Sequence, residues 1–180
     1  MPPRTSVSDS MRFPQRWIVL LRVVVGLWFL QSLLTKFTIA LAWGFLPVPA
    51  ANARWMRVMP KLLAKYAADN PIHGYQHFLQ HTVIPNSHLF ASFTAVGEVG
   101  VGLCLTLGLL TVPASFVGAI QVVFYGMAVQ HMSPGQRGFH VMLFAMMTTF
   151  FFTGAGRYWG IDGWLRSRYP DSVFARWPLS

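Results

Sequence analysis

The chain is short of charge, of acid above all, and almost without cysteine. Of 180 residues only 5 are acidic and 11% are charged, while 54% are hydrophobic; an average soluble domain carries about 25% charged residues. That deficit excludes a water-soluble globule, and the length fits one domain. The single cysteine, Cys104, excludes a disulfide within the chain and a relay of electrons from thiol to thiol, which needs a resolving partner. Also missing are a glycine-rich phosphate loop after a strand, a nucleophile elbow, and carboxylates paired at hydrolytic spacing, so nucleotide binding and hydrolysis are not expected. The net charge of +9 does not indicate nucleic acid, because the basic residues flank apolar runs, where they suit anionic headgroups.

What is present is long apolar runs. Spans are expected at about 17–37, 88–110, 112–131 and 139–153, each near the length that crosses a bilayer as a helix. The fold class expected is all-α: an integral membrane four-helix bundle with an interfacial amphipathic helical segment in the first loop. Residues 1–16 read as a polar, weakly ordered N-terminal arm, residues 17–165 as the membrane domain and residues 166–180 as a tail. Ala51-Asn52-Ala53 has the form of a signal cleavage site, but it lies well past an apolar run too long for a signal core, so the first span is expected to be retained.

In the loop over 38–87, Pro47 and Pro49 break any helix. Arg54, Arg57, Lys61 and Lys65 then recur at helical spacing opposite an apolar face that includes Trp55, Met59 and Leu62, as in a helix lying among headgroups and bent by Pro60. A second short helix is expected over 72–83, with His73, His77 and His81 on one face. Without a nearby carboxylate these histidines read as a polar face, and no metal site is expected. Gly100 with Cys104 and Ala114 with Gly118 have the small-residue spacing of close helix contacts. Basic residues are nearly balanced between the two sides. Cytoplasmic termini, in a multi-pass protein of the cell (inner) membrane, are the favoured arrangement.

Glu98 is the only acid between Asp69 and Asp162 and lies in the middle of the second span. A charge at the bilayer centre costs about 2.5–3.5 kcal/mol on insertion scales, so such residues face a partner or a cavity. Arg22, Lys36, Gln121 and Arg157 are the partner candidates. Two readings stand side by side: Glu98 and Arg22 form a buried ion pair that fixes register, or they take part in proton transfer. A quinone site needs an apolar slot, hydrogen-bonding groups and a proton source; Gln121, His140, Tyr125, Trp28 and Lys36 join Glu98 and Arg22 as its candidates.

Three patterns occur in order. They are Leu21-Arg22 with Gly26-Leu27 and a closing Lys36-Phe37; Gly97-Glu98 followed by Gly102-Leu103 and Gly108-Leu109; and Gly154-Ala155-Gly156-Arg157 ending at Asp162. Together they resemble the DoxX/DoxD family of small four-helix membrane proteins, with Ala155 and Gly160 standing where that family usually has proline and serine. The resemblance implies a bundle that serves membrane redox systems, as in the DoxD-like membrane subunit of a thiosulfate:quinone oxidoreductase. It implies quinone as electron acceptor and a second redox subunit; membrane lipids and further copies of the chain complete the expected partners. Basic loop residues such as Arg54, Arg57 and Lys61 could attract an anion like thiosulfate, although binding headgroups is their more ordinary work. Gly154, Gly156, Arg157 and Asp162 are read as a structural motif, with Arg157 and Asp162 paired across a turn. Two other functions stay open: a non-catalytic anchor or assembly subunit for redox partners, and a small-solute or proton pathway.

Overall fold

The computed structural model describes the backbone of residues 7–172 and the side-chain surroundings of residues 16–172. The protein is mostly helical. Helix α1 (Val7–Leu30) leads through a turn at Gln31 into the single-turn α2 (Ser32–Thr35). A hairpin of β1 (Phe37–Ala42) and β2 (Leu46–Ala51) follows, then α3 (Ala53–Ala68) and α4 (His73–Phe78), the latter running on into a π-helical turn, Leu79–Val83. Helices α5 (Ser87–Leu107), α6 (Thr111–Val129) and α7 (Pro134–Thr153) come next, and α8 (Ile161–Arg168) closes the described chain.

Among the described residues, three stretches are long and apolar enough to cross a membrane: Arg16–Thr35, Ser87–Leu107 and Thr111–Val129. Their outer faces keep large apolar side chains exposed, among them Leu20, Val24 and Leu27 on α1 and Phe116, Ile120 and Val123 on α6. Such faces suit acyl chains. The expected fourth span lies within α7, which is long enough but less apolar, because Gln136, Arg137 and His140 occupy its first turns. Helix α1 packs on α5, α5 on α6 and α6 on α7, with a smaller contact from α7 back to α1. Val25, Val101, Leu105, Val122, Met147 and Phe150 fill the space between them.

Close approach sets the α1–α5 contact. A Cβ on Gly26 would lie 2.7 Å from the Thr106 nitrogen, and one on Gly102 would lie 2.7 Å from that of Leu30. Gly118 packs in the same way against Met147 of α7, while Gly100, expected to make a close contact, faces open space. The pair that matters in α5 is therefore Gly102 with Gly26.

Two expectations about local structure need correction. Helix α1 begins at Val7, so the supposed arm over 1–16 is helical from there on, and residues 1–6 lie outside the described residues, as do 173–180 of the tail. The stretch holding Pro47 and Pro49 is a β-strand, so the fold is not purely helical. Proline lacks a ladder donor but is tolerated on an edge strand, and a two-stranded hairpin consists only of edges. The amphipathic segment does form as α3, with Pro60 inside it and Arg54, Arg57, Lys61 and Lys65 exposed.

Candidate functional site

The register of α1 on α5 builds the polar site. Gly26 lies against Thr106 and Leu30 against Gly102, so the chain that runs on through Gln31, itself helical (φ −58°, ψ −22°), into α2 brings Ser32 and Lys36 beside Glu98. Asn52, at the far end of the hairpin, fixes the end of α2. Its backbone N–H donates to the Lys36 carbonyl (2.7 Å), its amide donates to the Thr35 carbonyl (3.0 Å), and its side-chain oxygen caps α3 by accepting from the Trp55 N–H (2.8 Å). Both ends of the hairpin are thus tied at one point, and the Lys36 ammonium lies 4.7 Å above the Trp55 ring.

Glu98, buried in mid-α5, collects donors from three directions. The Lys36 ammonium donates to both carboxylate oxygens, at 2.7 and 2.8 Å, the Tyr125 hydroxyl of α6 donates to one at 2.7 Å, and the Ser32 hydroxyl donates to the other. A carboxylate is acceptor-only, so this set matches it without leaving a lone donor. Charge-assisted bonds are the strong ones, which offsets the cost of holding the acid away from water.

The site is the inner wall of a cavity of about 890 Å³ between α3, α4 and the long helices. Trp28, Lys36, Gln121, Tyr125 and His140, all sequence candidates, line it together with Glu98. The walls are mainly apolar, with Trp55, Phe78 and Phe124 among the rings, and Trp28 closes edge-on against Phe139 at 5.3 Å. Half-buried Gln121 has its side-chain oxygen enclosed without a partner, and His140 Nδ1–H donates to the Gln136 carbonyl at 2.7 Å. At the α4 side the Tyr75 hydroxyl donates to the Phe124 carbonyl (2.7 Å), and burial pushes its phenol up to about 12. The volume and the balance of apolar wall to convergent polar groups are those of a small-molecule pocket.

Arg22 stands elsewhere. The expected Arg22–Glu98 pair does not form; the guanidinium instead donates to the carbonyls of Ala155 (2.7 Å), Tyr158 (3.3 Å) and Trp159 (3.4 Å). The reason is reach: Arg22 lies level with the α5–α6 turn, and Lys36 arrives at Glu98 from the other end. Asp162 completes this second cluster by accepting from the N–H groups of Leu110 (2.7 Å) and Thr111 (2.9 Å), the otherwise uncapped start of α6. It also lies near enough for its charge to act on Arg22. Leu110 and Trp159 are both left-handed here (φ 48° and 50°), a conformation that costs a non-glycine residue about 1–3 kcal/mol unless its surroundings hold it. Gly156 leaves no room for a Cβ against Thr111 and Asp162, and Gly154 ends α7 with a left-handed cap. The motif 154–162 is thus a knot joining α1, the α5–α6 turn and the end of α7.

Ser32 is the site residue that the sequence reading missed. Its signal was faint: a hydroxyl four residues before the lysine, one helical turn away. His73, His77 and His81 lie exposed, with the last two rings 4.2 Å apart. Among the described residues no three His, Cys, Asp or Glu side chains gather as metal ligands.

Comparison with known proteins bears on this arrangement. The DoxX family model matches residues 17–131, nearly two-thirds of the chain, from α1 through α6. The match includes Ser32, Lys36, Glu98, Gln121 and Tyr125; α7 with His140 and the 154–162 knot lie beyond it. No curated protein and no solved structure matches the chain. With the family model over most of its length and three helices apolar enough to cross a bilayer, the chain belongs to the DoxX family of membrane proteins.

Proposed function

We propose that this protein is the quinone-binding membrane subunit of a respiratory redox system, in which a second subunit oxidises thiosulfate or a related donor. The observation that carries this reading is the aromatic-walled cavity ending on the Glu98–Lys36–Tyr125–Ser32 cluster. A quinone ring would lie among the rings of Trp28, Trp55 and Phe124. Its carbonyl oxygens are acceptors, suited to Lys36, whereas His140, whose Nδ1–H donates to the Gln136 carbonyl, is left in its neutral form with Nε2 as an acceptor suited to the hydroxyl of the reduced form. Reduction of a quinone to a quinol takes two electrons and two protons. In this reading the partner's donor supplies the electrons, and Glu98 is the side chain placed to pass protons. The same reading makes α7 a fourth crossing and places the protein in the cell membrane with its termini in the cytoplasm.

The test is binding followed by turnover. Trp28 and Trp55 line the cavity, so a short-chain quinone should quench the fluorescence of the purified protein in a saturable way. Tyr125→Phe and Glu98→Gln should weaken that quenching. Reduction should appear when copurifying partners and thiosulfate are added. Quenching that is unsaturable, or the same in both variants, would remove the quinone from this cavity. Binding without turnover under any donor would leave an anchoring subunit.

A further inference from the structure

Apolar packing closes on Glu98 from one side and gives way to the cavity and Lys36 on the other. At the end where the hairpin begins, Lys36, with its side chain 25% exposed against 7% for Glu98, touches both carboxylate oxygens. Toward the knot, Val25, Val101, Leu105, Val122, Met147 and Phe150 close the interior, each at most 5% exposed. Beyond that layer Arg22 is held by three carbonyls and Asp162 by two backbone N–H groups. On α5 between Glu98 and Gly108 the one titratable side chain is Cys104, a neutral thiol half-buried beside this layer. An ion without partners pays a heavy desolvation cost in such a layer. The groups that face Glu98 are Ser32 of α2, Lys36 at the end of α2 and Tyr125 from α6. Tyr75 approaches Tyr125 from α4, and His140 looks into the cavity from α7.

We propose that Glu98 exchanges protons with the hairpin side alone, with Lys36 as the relay. An Nζ–H bond of Lys36 breaks as an O–H bond forms on Glu98, and the lysine amine regains its proton from water in the cavity mouth; no electrons move in this step. A bound quinone as the proton's destination rests on the proposed function, whereas the route does not. Its consequence is directional: a ligand reduced at this site draws its protons from the hairpin side, whichever partner supplies electrons.

Cysteine accessibility in sealed proteoliposomes tests the route. In a full-length Cys104→Ala background, Trp43→Cys marks the hairpin face and Arg168→Cys the knot face, since both positions are exposed. Ser32→Cys is nearly isosteric and places a thiol against the Glu98 carboxylate. A membrane-impermeant thiosulfonate should modify it from the face that modifies Trp43→Cys and not from the other, while Val101→Cys is modified from neither. Modification of Ser32→Cys from the Arg168 face, or none from the hairpin face while Trp43→Cys reacts, overturns the proposal. Should Ser32→Cys fail to assemble, Lys36→Cys is read by the same criteria. Loss of quinone quenching with the labelling pattern intact would defeat the proposed function and leave this route standing.

Discussion

Two buried charges lie on opposite halves of the same helix packing, and their partners differ in kind. Arg22 is surrounded by backbone carbonyls of the 155–159 turn, which cannot move without remaking the chain between α7 and α8. Glu98 is surrounded by three side chains, two from α2 with its C-cap and one from α6, and borders the cavity. A charge held by backbone is a fastener. A charge held by rotatable side chains beside a cavity can trade one partner for a ligand. Both residues break the apolar pattern in the same way, and the difference lies wholly in what surrounds them.

Removing the fastener should give the largest effect. Arg22→Met leaves three carbonyls without their donor, together with two left-handed residues that the knot restrains. Hydrogen bonds to charged groups contribute about 1.5–3 kcal/mol each, and breaking a buried charged cluster typically costs about 3–5 kcal/mol. Thermal unfolding in detergent should show a loss in that range, with a sharply reduced yield of folded protein. An Arg22→Met protein of unchanged melting temperature that no longer binds quinone would invert the comparison and return Arg22 to the ligand site.

Next is the seam that both clusters share. Gly102→Ala sets a Cβ 2.7 Å from the Leu30 nitrogen, a backbone atom that cannot step aside unless α1 moves. Overpacking of this kind costs about 1–3 kcal/mol. Because Leu30 lies just before Ser32 and Lys36 in the chain, a shift of α1 moves both against Glu98, and quinone quenching should weaken along with stability. A variant that loses stability and keeps full quenching would show that Ser32 and Lys36 are held by Asn52 and the hairpin, independently of the seam.

Much of this contrast is legible in the amino-acid sequence. Glu98 stands alone in an apolar run, and the cost of that placement demands an enclosed site with a cationic partner. The choice of partner is not legible, because it depends on the register of α1 against α5. Arg22 and Lys36 stand toward opposite ends of the run from Trp17 to Phe37, and only the seating of Gly26 against Thr106 and of Leu30 against Gly102 sets Lys36 beside Glu98. The hairpin escapes for a related reason: Pro47 and Pro49 forbid a helix but do not forbid an edge strand. Asp162 is visible as half of a local pair with Arg157, yet its oxygens cap a helix that starts about fifty residues earlier. The uncapped Leu110-Thr111 start of α6 is the only hint, and a distant cap has no sequence spacing to betray it.

The site itself should respond in function as well as in stability. Glu98→Gln keeps the shape of the side chain and an acceptor oxygen while removing the charge. Lys36 remains partly exposed and so can be solvated, which holds the expected stability loss to about 1–2 kcal/mol, below that of Arg22→Met. Quinone affinity should fall by about tenfold, the equivalent of roughly 1.4 kcal/mol for one altered hydrogen-bonding arrangement. Unfolding as severe as that of Arg22→Met would make Glu98 a second fastener, and the cavity beside it incidental.

The smallest effect is expected at Gly100, and its sign is what counts. It lies on the same helix as Gly102, but a Cβ there meets no atom within 4 Å. With no clash to create, Gly100→Ala should register only the lower conformational freedom of alanine in the unfolded chain, a gain of up to about 1 kcal/mol. Quenching and labelling should not change. A loss of stability would mean that another surface packs on this face in the membrane. Small residues are what let helices from separate chains approach closely in lipid, so a matching change in cross-linked species would identify a second copy. The glycines of α5 would then divide as the charges do, Gly102 serving the fold and Gly100 serving what lies outside it.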